Sequence, residues 1–234
     1  MQETPIKFLS ELRTTAWRTA GARYNASRRL RGRDRWGTVS IAFISVFSIS
    51  LTILQKVYGI EIDTPLDRFI TAASIVSGLG VVVISLVEWG STNAINAVEL
   101  YKNAEALNAF QRRLGVILSV SEENIDGGMC AKLAAEYESI KSGCSVNHEP
   151  VDDRFFLASK RNSPEFVGKD GRPSMSLAAA MTHRVAGWAS ALSYFWVIWV
   201  LIIGIVYYGV HLSDLPGKRP PTEAQGVTNN YQQS

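Results

Sequence analysis

Eight side chains have the types and spacing to line a polar path through an apolar medium: Ser45, Ser48 and Thr52 in one uncharged run, and Thr71, Ser74, Ser77, Ser85 and Glu88 in and at the end of the next. Their helical intervals place each set on one side of a helix. A hydroxyl stripe brings nothing to a lipid-facing surface, whereas a helix–helix contact or a water-filled passage uses it. Within one chain the hydroxyls would pack two helices together. Around the axis of an assembly they would line a pore, and a ring of Glu88 carboxylates would favour cations. Glu88 and Lys56 sit at opposite ends of the two runs, each costly in lipid unless it reaches headgroups, protein or water.

The other concentrations of reactive side chains are weaker. His148 lies in NHEPVDD with Glu149, Asp152 and Asp153. That composition suits a metal or acid/base cluster, and it equally suits a turn whose Asn, Pro and acids cap a helix. The sequence holds no GxGxxG, Walker loop, HExxH or GxSxG pattern. Cys130 and Cys144 show neither CxxC spacing nor His/Cys partners at zinc-site distances. No catalytic residue, cofactor site or metal ligand is assigned, and a non-enzymatic protein is expected.

These residues need elements to position them, and three uncharged runs supply the first: Gly37 to Leu54, Phe69 to Val87 and Val185 to Val210, in a chain of 234 residues. Each reaches the roughly 18 to 20 apolar residues with which a helix crosses about 30 Å of hydrocarbon. The alternative for the first two is a buried helical hairpin, because Gly and Ser lower their hydropathy. The third carries Trp188, Tyr194, Trp196, Trp199, Tyr207 and Tyr208, which include the interfacial aromatics of a spanning helix. An all-α integral membrane protein is therefore expected: a transmembrane hairpin over 37–90, a cytosolic helical region over 91–184, and a third hydrophobic helix over 185–210. A re-entrant or interface-lying third helix is the alternative. The tail over 211–234, rich in Pro, Gln, Asn and Thr, reads as disordered.

Residues 1–36 read as a basic amphipathic helix starting at Thr4-Pro5, with Phe8, Leu9, Leu12, Ala16, Ala20 and Tyr24 at helical spacing and Gly32 as the weak point before the first span. Up to Trp36 there are nine Lys/Arg against three acids, whereas the link QKVYGIEIDTPLDR has two basic and three acidic residues. Basic flanks stay cytoplasmic, which sets the N-terminus inside, in a membrane crossed more than once. Arg28, Arg29, Arg31, Arg33 and Arg35 are read as topology determinants in contact with anionic lipid. Nucleic acid is not expected as a partner, since only Tyr24 and Trp36 lie nearby to stack bases. Beyond the second span, Ala97, Leu100, Ala104, Leu107, Gln111, Leu114 and Leu118 alternate steps of three and four. This spacing predicts that the second span runs on as one long helix, its seam facing the N-terminal helix or a neighbouring chain.

The stretch Arg23-Tyr24-Asn25-Ala26-Ser27-Arg28-Arg29-Leu30 before the first span, together with Tyr137, Ile140, Asn147, His148, Asp152 and Phe155 after the second, resembles the SLATT family. These are two-transmembrane effector domains associated with nucleotide-synthesising and SLOG-type sensor proteins, and the resemblance reaches the last apolar run if the chain belongs to the subgroup with an extra C-terminal hydrophobic helix. It implies a membrane effector of a bacterial antiphage system of the abortive-infection type, which forms a homo-oligomeric pore. It also implies a separate sensor protein: a nucleotide cyclase, a SLOG protein or a reverse transcriptase. The alternative is a non-conducting membrane anchor that recruits a cytosolic complex.

Overall fold

The computed structural model describes residues 4–120, 125–168 and 170–213. Among them the chain forms seven α-helices, a short 3-10 turn over Pro164–Phe166, and an isolated antiparallel bridge between Val167 and Pro173. The first helix, α1, runs unbroken from Pro5 to Val57, 53 residues, about 80 Å at 1.5 Å per residue. Proline at its first position lacks only a donor that would go unused there. Gly59, at φ 57°, and Asp63, at φ 71°, turn the chain back, the left-handed glycine being a common helix stop.

The expected weak point at Gly32 is not one: α1 passes straight through it. One glycine costs a helix about 1 kcal/mol, less than the packing on either side supplies. The missing side chain is used instead for close approach, since a Cβ there would lie 3.2 Å from that of Ala191. The expected single helix beyond the second span is divided. The second helix, α2, covers Pro65–Gly90, Ser91 is extended, and α3 restarts at Asn93 and ends at Val120.

Together α2 and α3 run antiparallel along the whole of α1 in nearly constant register. Gln55 meets Asp67, Ser48 meets Ser74, Gly37 meets Glu88, Ser27 meets Ala97, Arg23 meets Asn103, and Arg13 meets Gly115. The molecule is thus one long helical hairpin with an apolar half and a water-facing half. Stretches within α1 and after Pro65 are long and apolar enough to cross a membrane.

The water-facing half, here the base, is thickened by α4 (Gly127–Ser142), α5 (Pro150–Ser159) and α6 (Leu177–Ala191). Its seam is the one the spacing predicts, and its partner is α1 of the same chain: Leu9, Ala16 and Ala20 cluster with Leu107, Phe110, Leu114, Leu133 and Tyr137, while Ala26 and Leu30 cluster with Ala97, Leu100 and Cys144. The alanines let the backbones approach and the leucines fill the space, each fully buried Leu contributing about 1.5 to 3 kcal/mol. Rings of Trp17, Phe156 and Phe166, with centroids 5.4 to 5.8 Å apart, fasten α5 and the 3-10 turn to α1.

The third apolar run is not one helix over 185–210. It is split at Leu192, where α6 ends and α7 (Ser193–Ser213) begins. The α7 helix lies along the apolar half, Phe195 against Trp36, Trp199 against Phe43 and Tyr208 against Phe69. It therefore rises beside α1 from the basic end of the hairpin toward its loop. The tail expected to be disordered falls, beyond Ser213, outside the described residues, as does 121–124 of the loop after α3.

Candidate functional site

In the apolar half the two hydroxyl stripes meet each other. Ser48 donates to the Ser74 carbonyl at 3.0 Å, and Ser77, one turn further on, is buried. Ser45 is half-buried and donates to its own helix at the Ile41 carbonyl, 2.8 Å away; Ser85 is half-buried. Thr52 and Thr71 are exposed, the first donating to the Ser48 carbonyl at 3.3 Å and the second accepting from Gln55 at 3.1 Å. Of the eight residues read as pore-lining, Ser48, Ser74 and Ser77 lie within the seam of a single hairpin. In lipid no hydrophobic force draws helices together, so small side chains that let backbones approach take the contact. Glu88 belongs to the same seam: its carboxylate packs into the notch over Gly37.

Where α1 enters the base, its arginines divide. Arg29 is 5 % exposed; its Nε and Nη2 donate to the two oxygens of buried Asp152 at 2.9 Å, and Nη1 lies 2.9 Å from Glu149. Asp152 also accepts the Glu149 backbone N–H at 3.0 Å, which caps α5. This two-pronged, charge-assisted pair is a strong and directional contact. Arg33 donates from Nε to the Ser190 carbonyl at 3.1 Å, near the end of α6. The reading of Arg29 as a lipid contact is corrected, since it is enclosed and fastens α5 to α1; Arg33, half-buried, joins α6 to α1. Arg28, Arg31 and Arg35 remain exposed, Arg31 lying 5.0 Å over the Tyr101 ring.

Arg23, 3 % exposed, solves its burial differently. It donates to the Asn103 side-chain oxygen and, at 3.1 Å, to the Lys141 carbonyl, while Asn103 donates to the Ile140 carbonyl at 2.6 Å. Both carbonyls lie in the last turn of α4, where they lack helical donors and carry the negative end of the helix dipole. A buried cation thereby caps a helix.

The acids of NHEPVDD are spent in the same way. Asp152 and Glu149 hold Arg29, and Asp153 takes Nε and Nη2 of Arg18 at 2.7 and 2.6 Å. Burial pushes the His148 imidazole below its ordinary pKa, with Asp153 pulling the other way. Among the described residues no group of His, Cys and acids is placed to hold a metal ion. Sequence reasoning missed this docking of acids onto the arginine face. The pairing joins segments 123 residues apart, and neither segment alone identifies the other as its partner.

The chain matches the sequence profile of SMODS and SLOG-associating two-transmembrane effector domain family 5 over residues 6–213. Comparison with curated proteins and with solved structures finds no match. The chain belongs to SLATT family 5, and it is an all-α integral membrane protein whose transmembrane hairpin is accompanied by a third, C-terminal hydrophobic helix.

Proposed function

Taking that membership as premise, we propose that the protein is a membrane effector of a bacterial antiphage system of the abortive-infection type. It sits in the plasma membrane with its N-terminus and base in the cytoplasm, and it oligomerises to breach the bilayer when a separate sensor protein or a nucleotide signal acts on the base. The unbroken α1 carries this reading. One helix forms the centre of the base and the first arm of the apolar hairpin, so a tilt imposed at the α5 contact reaches the bilayer without a joint to absorb it. The exposed Arg28, Arg31 and Arg35 at the basic end support the cytoplasmic placement. The signal shifts the assembly only by the difference in its affinity for the two states. The reading assigns no catalytic step.

The test is induced expression in bacteria with a potential-sensitive dye, with and without the genes adjoining this one. Depolarisation that depends on the hairpin supports the pore, and Glu88→Gln is then expected to change conductance in liposomes while insertion is kept. An intact potential at growth-arresting levels overturns it. That outcome would favour a non-conducting anchor that recruits a cytosolic complex, a reading supported by the use of the Ser48 hydroxyl within a single hairpin.

A further inference from the structure

A cavity of about 330 Å³ lies where α1, α5 and α6 converge, lined by residues that include Asn25, Arg28, Trp36, Phe155, Trp188 and Leu192. Most of its polar groups are committed. Asn25 donates to the Asp152 carbonyl at 3.1 Å, and the Asp152 carboxylate is held by Arg29 and the α5 cap. Arg28 is the exception: it is exposed, and among the described residues it makes no ion pair. The cavity therefore presents one uncompensated positive charge beneath apolar and aromatic walls.

Its height is fixed by the sequence. Trp36 precedes the first uncharged run and Leu192 is the joint before α7, and the Trp36 ring meets that of Phe195 at 4.9 Å. The upper rim is thus level with the start of both apolar helices. Arg28 lies two turns below, about 12 Å along α1, which is about 4 to 7 Å past the roughly 5 to 8 Å that headgroups occupy outside the hydrocarbon, a gap that a long arginine side chain spans by snorkelling. Trp188, 71 % exposed, stands at the rim with an apolar body and a polar N–H, the arrangement suited to this depth.

We propose that this cavity binds an anionic phospholipid of the adjoining leaflet, whose phosphate pairs with Arg28 while its glycerol and first acyl carbons lie against Trp36, Trp188, Phe155 and Leu192. A soluble anion would use Arg28 and leave the apolar walls wet; a lipid uses both. The bound lipid bridges α1 to the α6–α7 joint, so the acidity of the membrane tunes how α7 sits on the hairpin. The site stands whether or not the protein conducts.

The test incubates the full chain in detergent with equal amounts of dioleoyl phosphatidylglycerol and dioleoyl phosphatidylcholine and counts retained lipids by native mass spectrometry. Retention of phosphatidylglycerol over phosphatidylcholine is expected. Arg28→Gln should reduce that preference about tenfold, the loss of one charge-assisted hydrogen bond. Arg35→Gln removes the same charge from an exposed position of the same helix outside the cavity, and should keep the preference. Trp188→Ala, which removes an exposed aromatic wall of the cavity and leaves Arg28 in place, should lower retention of both lipids. No preference in the parent protein, equal losses in Arg28→Gln and Arg35→Gln, or unchanged retention in both Arg28→Gln and Trp188→Ala overturns the proposal. So does displacement of phosphatidylglycerol by millimolar glycerol 3-phosphate, which would make the occupant a free phosphate ester.

Discussion

The two halves of α1 follow one partner path at one register and hold it by different means. Below Trp36 the contact is leucine and alanine, with Leu9, Leu100, Leu107 and Leu114 wholly buried and two arginines enclosed with their hydrogen-bond partners. Above it small residues, Gly37, Ser40, Ala73 and Ser77, share the buried positions with only Ile44 and Ile70, while Val46, Ile49 and Ile53 point outward. The difference teaches where hydrophobic burial has force. It orders the half whose alternative is water, and it has nothing to say in the half whose alternative is lipid, where close backbone approach and single hydrogen bonds remain.

The sharpest way to break this comparison is Asp152→Ala, which leaves Arg29 buried without its main partner. We expect a loss of about 3 to 5 kcal/mol, read as a drop in the unfolding midpoint of the full chain in detergent, and a double-mutant cycle with Arg29→Met should show the two losses to be strongly non-additive. A matched pair comes next. Leu107→Ala in the base should cost about 2 to 5 kcal/mol. Leu79→Ala, 62 % exposed on α2, should stay within about 0.5 kcal/mol, and equal midpoints for the two variants would erase the distinction between the halves. Gly21→Ala drives a Cβ into the Phe156 ring and should cost about 1 to 3 kcal/mol by overpacking, with helix α5 losing hydrogen-exchange protection first. In the apolar seam, Ser48→Ala should cost only about 0.6 kcal/mol, measured by the same midpoint.

The smallest effect concerns pH. Burial lowers the folded-state pKa of His148, so the unfolded chain binds its proton more readily. The stability this contributes is full above the ordinary histidine range and is lost as pH falls through it toward the lowered value. Denaturant midpoints measured from pH 8 to pH 5 should fall less steeply in His148→Gln than in the parent chain.

Much of this was legible in the sequence, for reasons that also mark the limit. The steps of three and four from Ala97 to Leu114 gave the base seam because a helix burying one face in water must repeat that way. The uncharged runs marked the apolar arms because lipid excludes charge. The joint at Leu192 left no trace, since the residues on both sides of it are uncharged and hydropathy does not register a break in backbone direction. The extended Ser91 was hidden in the same manner, between two good helical segments. The inward turn of Arg29 depends on Asp152, far along the chain, and local composition carries no record of a distant partner. Phe155 and Phe156 were visible as an aromatic pair, but the helix Pro150–Ser159 that carries them is held by α1 rather than by its own propensity.

The distance between Arg29 and Asp152 sets a clock. The chain leaves the ribosome N-terminus first at about 5 to 20 residues per second. The guanidinium therefore waits on the order of 6 to 25 s at that rate for a carboxylate made 123 residues later. Arg23 waits similarly for the carbonyls at the end of α4. Throughout that interval the first apolar arm is already emerging beside them. The same arginines are thus bare charges while insertion is being decided, and interior residues only once synthesis has moved on.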